Sequence, residues 1–379
     1  MSVYFDNAAT TAIDPDVFEA MKPFMLEYFG NPSSIHSHGR KVRSEIEFAR
    51  KKIAELFNVT PGEIFFTSGG TEADNTVIYC SIETHGLKHA ITSKIEHHAV
   101  LHTLQNLAAQ GKIKLSYVNL DEKGHVDYDH LNELLKANER SLVSLMHANN
   151  EIGNISDIVR IGELCAEYDA IFHSDTVQTV GHYKHDLKSI KINSIVGSAH
   201  KFHGPKGIGF MYVRKDTKIH PFIHGGSQER NMRGGTENVY GIVGLAKALE
   251  IAYDHIEDHQ KHIQGLKDRM ISGLKDAIPG VGFNGDSANA EQSLYTVLNV
   301  CLPESSENEM LLFNLDLAGI SASGGSACSS GASTGSHVLT GIQANPNKGA
   351  VRFSFSKYNT NEDIDYTVQK LTELYGVEV

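Results

Sequence analysis

The chain has 379 residues, 40% of them apolar and 21% charged, an ordinary globular composition with room for one large domain and a smaller one. A net charge of −12, with no basic run, excludes a nucleic-acid surface as its main business, and no apolar stretch nears the roughly 20 residues of a membrane span. The start, MSVYFDNAATT, lacks a leader pattern, and Cys80, Cys165, Cys301 and Cys328 stand far apart, which predicts a reduced, cytoplasmic protein without a disulfide framework.

In chain order, a helix is expected over 41–57, with Val42, Ile46, Ala49, Ile53 and Leu56 on one face. Short apolar runs then predict strands at 64–67, 89–93, 114–118, 142–147, 170–175, 194–198 and 208–213. Helices at 71–83 and 157–168 fall between them. Such alternation predicts an α/β fold with a mainly parallel seven-stranded sheet. One long helix over 240–274 follows. Period-two strands at 294–300 and 351–356, with helices at 310–317 and 364–374, then predict a half-buried antiparallel sheet in an α+β unit. The expected division is a large domain at 15–254 and a small one made of 1–14 and 255–379.

Three strand ends carry polar groups. The stretch FTSGGTEADN leads from a strand through Ser-Gly-Gly-Thr into a helix, whose free amides and dipole suit an anion such as a phosphate. A plain capped helix explains it equally well. Asp175 ends the run IFHSD, where α/β sheets bind ligands, although it could instead cap the helix after it. Lys201, in SAHKFHGPKGIG, comes after another apolar strand, and a lysine in a dry pocket becomes a neutral amine able to form an imine. A solvated surface lysine is the ordinary alternative. Taken together and in this order, a phosphate cradle, an aspartate for a pyridinium nitrogen and a lysine for an aldehyde suit pyridoxal 5'-phosphate. The 21 histidines show no metal-binding spacing.

The segments YFDNAATT, GNPSSIHSHGR, FTSGGTEADN, HANNEIG, HSDTVQ, SAHKFHGPKGIG, GGSQERNMRGGTEN and GSACSS resemble the cysteine desulfurases across nearly the whole chain. The resemblance implies the aspartate-aminotransferase-like fold, pyridoxal-phosphate fold type I. It implies that Lys201 holds the cofactor, Asp175 meets the ring nitrogen and Gln178 the ring hydroxyl, and that His98 stacks on the ring and assists proton transfer. Gly70, Thr71, Ser198 and His200 would hold the phosphate, and Thr236 would reach the phosphate of a neighbouring subunit in a homodimer. Asn149 and Arg352 would meet the carboxylate of L-cysteine. Residues 354–357 read Ser-Phe-Ser-Lys where the family commonly has Ser-x-Gly-Arg, a change expected at the pocket rim.

Residues 321–336 contain only Ser, Ala, Gly, Thr and Cys328, which cannot build an apolar core, so a loop is expected there. By resemblance Cys328 takes the sulfur as a persulfide, for an iron–sulfur scaffold or another sulfur-acceptor protein. The other three cysteines lie in apolar surroundings and are expected to be inert. Rival readings are a selenocysteine lyase or an aminotransferase on the same fold, and an inactive sulfur-transfer scaffold.

Overall fold

The structure is a computed structural model that describes residues 2–324 and 335–376. Its centre is a seven-stranded sheet. In spatial order the strands are Ile64–Thr67, Gly209–Val213, Ser194–Ser198, Ile171–Asp175, Ser141–Ser144, His89–Thr92 and Lys114–Tyr117. The pairings from Ser194–Ser198 out to Lys114–Tyr117 are parallel. Gly209–Val213 runs antiparallel to both of its neighbours.

Both faces of this sheet are buried except at the edge strand Lys114–Tyr117, which is why most of its strands read as apolar runs. Phe66, Ile91, Val143, Phe172 and Ile195 point into one core, shared with the helices Ser37–Leu56 and Val239–Asp254. Their neighbours Ala90, Leu142 and Ile171 point the other way, onto the helices Gly70–His85 and His98–Ala109, and Phe65 and Val196 also pack against Gly70–His85. The same-direction strands therefore all end at one edge, and the turns leaving that edge carry the site.

A second core joins Val3 and Phe5 to Ile263, Leu266, Leu298, Val300, Phe353 and Leu371. Around it the strands Val297–Leu302 and Gly349–Ser354 pair antiparallel, under the helices Ile256–Ala277 and Asn361–Tyr375. Two expectations need correction. The single helix over 240–274 is two, Val239–Asp254 and Ile256–Ala277, because His255 between them leaves helical geometry at φ −118°, ψ 19°. The antiparallel strands are not half-buried. Leu298 and Val300 face the second core, while Val297 packs on Ala148 and Asn299 donates to the Glu151 carbonyl at 3.1 Å, so both faces are covered. Among the described residues no helix is long and apolar enough to cross a membrane.

Candidate active site

The turns at the sheet edge enclose a cavity of about 220 Å³. Its first wall is the start of the helix Gly70–His85. The residue before this helix is Gly69, and among the described residues no side chain caps the first turn. Its amide groups therefore face the cavity without the partner that an N-terminal Ser or Asp would supply. Gly70 is required where it stands, since a Cβ there would come within 2.8 Å of Val177 Cγ2. Gly70 and Thr71 line the cavity opposite Ser198 and His200.

The second wall comes from the next strand ends. Asp175 is 6% exposed, and its Oδ1 accepts the amide of Val177 at 2.9 Å, which shapes the turn and leaves the carboxylate in the cavity wall. Gln178 lines the cavity with its Nε2 donating to the Ala8 carbonyl at 3.0 Å. Lys201 sits on a short 3-10 turn directly after Ser194–Ser198 and is half-buried. Its Nζ donates to the carbonyls of Ala8 and Ala9 at 2.5 and 3.0 Å. His200 beside it donates to or accepts from Thr10 Oγ1 at 3.1 Å, and burial holds its imidazole down to about 4, so it is neutral at physiological pH.

Arg352 closes the cavity from the second core. Although only 1% exposed, it donates from Nη2 to Asp6 Oδ1 at 2.8 Å and from Nη1 to the Asn150 carbonyl at 2.9 Å. Among the described residues its buried Nε has no partner. Arg352 nonetheless lines the cavity, and the fork of a guanidinium suits a carboxylate.

Two of the expected residues stand one position away from the side chain that the structure places in the cavity. His98 does not line it; His97 does. His97 is the residue just before the helix His98–Ala109, and its Nδ1 accepts the Ala99 amide at 3.2 Å, which turns the ring back over the helix start. His98, the first helical residue, points elsewhere: its ring stacks on His102 at 4.5 Å, and its Nε2 lies 3.2 Å from His337 Nδ1. Asn149 is likewise turned inward. Its Oδ1 accepts the amides of Glu151 and Ile152 at 2.8 and 3.0 Å, and its Nδ2 donates to the Ile95 carbonyl at 2.8 Å. Asn150 lines the cavity instead. A histidine at a helix entry and the second of two asparagines after a strand were the available signals.

Other expected residues lie outside the cavity. Thr236 is exposed and lines a separate pocket of about 170 Å³ with Glu229 and Arg233. Lys357 is not at the rim. It pairs with Asp14, which also accepts from Tyr358 at 2.9 Å, and lines a small void of about 30 Å³ behind Lys201. Cys328 lies outside the described residues. Burial pushes the Cys80 thiol up to about 12, and burial likewise raises Cys165 and Cys301, which fits inert packing thiols.

The family described as aminotransferase class-V matches residues 3–367. The chain is 45% identical over 377 residues to a protein named cysteine desulfurase IscS from Dictyoglomus turgidum, with 98% of this chain and 94% of that one covered. It is 45% identical to another of the same name from Methanosarcina thermophila, with 98% and 92% covered. Among solved structures, a NifS-like protein superposes with a TM-score of 0.90 at 39% identity over 99% of each chain. A structure described as SspA in complex with cysteine does so at 0.82 and 31%, over 95% of this chain and 100% of that one.

Proposed function

The chain belongs to the class-V aminotransferase family, among the cysteine desulfurases, and from that membership we propose that its cavity converts L-cysteine to L-alanine while Cys328 receives the sulfur. The observation that carries the reading is the convergence of an uncapped helix start, Asp175 and Lys201 on one cavity that Arg352 closes. Those residues fit pyridoxal 5'-phosphate. The free amides at Gly70 and Thr71, with Ser198 and His200, provide donors for a phosphate, Asp175 a carboxylate for the ring nitrogen, Gln178 an amide for the ring hydroxyl and Lys201 an amine for the aldehyde. When bound, the cofactor supplies an electron sink for the pair left by a broken Cα–H bond.

The remaining work falls to this chain. Arg352 and Asn150 would hold the substrate carboxylate, and His97 would lie against the cofactor ring. Lys201 Nζ takes the Cα proton and later returns it. The Cys328 thiolate attacks the substrate sulfur, the Cβ–S bond breaks, and Cβ gains a proton. L-cysteine and one thiol thus give L-alanine and one persulfide, with no outside oxidant. The persulfide then passes to an iron–sulfur scaffold or another acceptor protein.

The active form in this reading is a homodimer. Phe18, Met25, Leu26, Phe29, Ile35 and Phe48 are exposed between residues 18 and 48, with Ile35 at 90%, more apolar surface in one stretch than a monomer usually shows to water. The exposed Thr236 supports the same reading, as a residue offered to a neighbour's phosphate. The proposed division into residues 15–254 and residues 1–14 with 255–379 is supported by the two cores, the second of which takes in Val3 and Phe5. A cytoplasmic setting is supported by the unpaired Cys80, Cys165 and Cys301.

The test is product analysis with L-cysteine and a reductant. Sulfide and alanine are expected in equal amounts from the wild type. Cys328→Ala should retain the coloured cofactor and lose sulfide release. Normal turnover by Cys328→Ala would point instead to an aminotransferase or lyase on the same scaffold.

A further inference from the structure

One carboxyl group in the cavity has no task in the reaction above. Asp74 lies one turn into the helix Gly70–His85, lines the cavity and is 1% exposed. Among the described residues its Oδ1 has no hydrogen-bond partner. His173 Nε2 stands 3.4 Å away but is not aligned to donate, and it too is unpartnered. His173 is no counter-charge, since burial holds its imidazole down to about 3 and its Nδ1 is engaged with Ser144 Oγ at 2.9 Å. An oxygen of Asp74, an oxygen of Asp175 and a ring nitrogen of His97 lie within 4.8 Å of one another.

A carboxyl group so buried, with a second carboxyl group beside it, is disfavoured in its charged form. Asp175 accepts the Val177 amide at 2.9 Å, whereas among the described residues no donor reaches Asp74 Oδ1, so a proton is better placed on Asp74. The cations of the cavity do not reverse this. Lys201 donates to the Ala8 and Ala9 carbonyls, and Arg352 is paired with Asp6 at 2.8 Å. Burial first, then the charges of Asp175 and Glu96, hold the Asp74 carboxyl well above the usual carboxylate range. Glu96 is itself pushed up to about 8, its Oε1 occupied by the Met146 amide at 3.0 Å and Ser93 Oγ at 3.1 Å.

We propose that Asp74 is a positioning residue for the cofactor: it stands beside Asp175 as the proton-bearing member of a buried carboxyl pair, so that one negative charge, not two, meets the ring nitrogen. Its O–H is available as a donor towards Asp175, an oxygen of which lies within 4.8 Å of one of its own. The inference rests on the reading of Asp175 as the ring nitrogen's partner.

The experiment uses full-length holoenzymes of Asp74→Asn, Asp74→Ala, Asp175→Asn and Glu96→Gln. It reads the cofactor dissociation constant, the pH profile of the bound cofactor's absorbance and the infrared carbonyl stretch of protonated carboxyl groups. Asparagine keeps a donor and is neutral, so Asp74→Asn should bind cofactor within about threefold of the wild type and keep its pH profile. Asp74→Ala should weaken binding by roughly tenfold and shift the profile, as loss of a donor to a charged group does. A carboxylic-acid band should vanish in Asp74→Asn, leaving the Glu96 band, which Glu96→Gln removes. Asp74→Asn binding as weakly as Asp175→Asn, or keeping every band of the wild type, would overturn the proposal. If Asp74→Ala does not fold, Asp74→Asn and the infrared bands still decide. Asp175→Asn binding cofactor like the wild type would instead overturn the role of Asp175 itself.

Discussion

The strand ends and the helix-entry turns around this cavity behave differently. Asp175 and Ser198 are the last residues of buried strands, and Lys201 comes three residues later; each stands in the cavity wall. At the turns 93–98 and 147–152 the residue that reaches the cavity is the neighbour of the one expected: His97 beside His98, Asn150 beside Asn149. A strand end inherits its direction from the pleat, which alternates and is fixed by the core. A turn has no such period, so local hydrogen bonds decide which side chain faces in. The cavity therefore has a chemical centre set by the sheet and a periphery set by caps.

That contrast can be broken or sharpened by substitution. The largest effect belongs to the strand-end group. Lys201→Ala should lower turnover by about 10³-fold or more and abolish the cofactor's characteristic absorbance, as loss of a covalent anchor and proton carrier demands. Equal activity in that variant would remove the centre altogether. Next comes the histidine pair. His97→Ala should cost about 10²-fold in kcat. His98→Ala, which loses a ring that stacks on His102 and meets His337 outside the cavity, should stay within about twofold. A reversed order in steady-state kinetics would show that the cap does not set the ring's direction.

The asparagine pair separates binding from folding. Asn150→Ala should raise the KM for L-cysteine by roughly tenfold with little change in melting temperature. Asn149→Ala removes the bonds to Ile95, Glu151 and Ile152 and should lower the melting temperature by about 5 °C. The smallest effect is expected at Glu96. Its folded-state value of about 8 lies above the ordinary 4.5, so between those limits the unfolded chain releases a proton that the folded protein keeps. Stability from this group is therefore present below about 4.5 and lost as the pH rises towards 8. Chemical denaturation should show a shallower fall in stability across that window for Glu96→Gln than for the wild type.

The same contrast governs what could be read in the sequence. Most of the seven strands were visible because burial on both faces makes apolar runs such as Ser194–Ser198 stand out, the edge strand Lys114–Tyr117 being the partly exposed exception. The antiparallel course of Gly209–Val213 was not, because such a run carries no direction. The break at His255 was hidden because Ile256 continues the apolar face across it. Arg352 was legible through the family resemblance, and it lies between Val351 and Phe353, which enter the second core. Asp74 was overlooked since a charged residue in a helix ordinarily faces water, and only the fold shows it buried under Asp175. Lys357 read as a rim residue, and its pairing with Asp14 depends on a contact between chain segments that no local pattern reports.

The most direct test of the central claim is to mix the holoenzyme with one equivalent of L-cysteine, without reductant, and locate the sulfur by mass spectrometry of the digested protein. One added sulfur atom is predicted on the peptide containing Cys328, in proportion to the alanine formed, and none in Lys201→Ala. Alanine released with no sulfur on that peptide would contradict the claim.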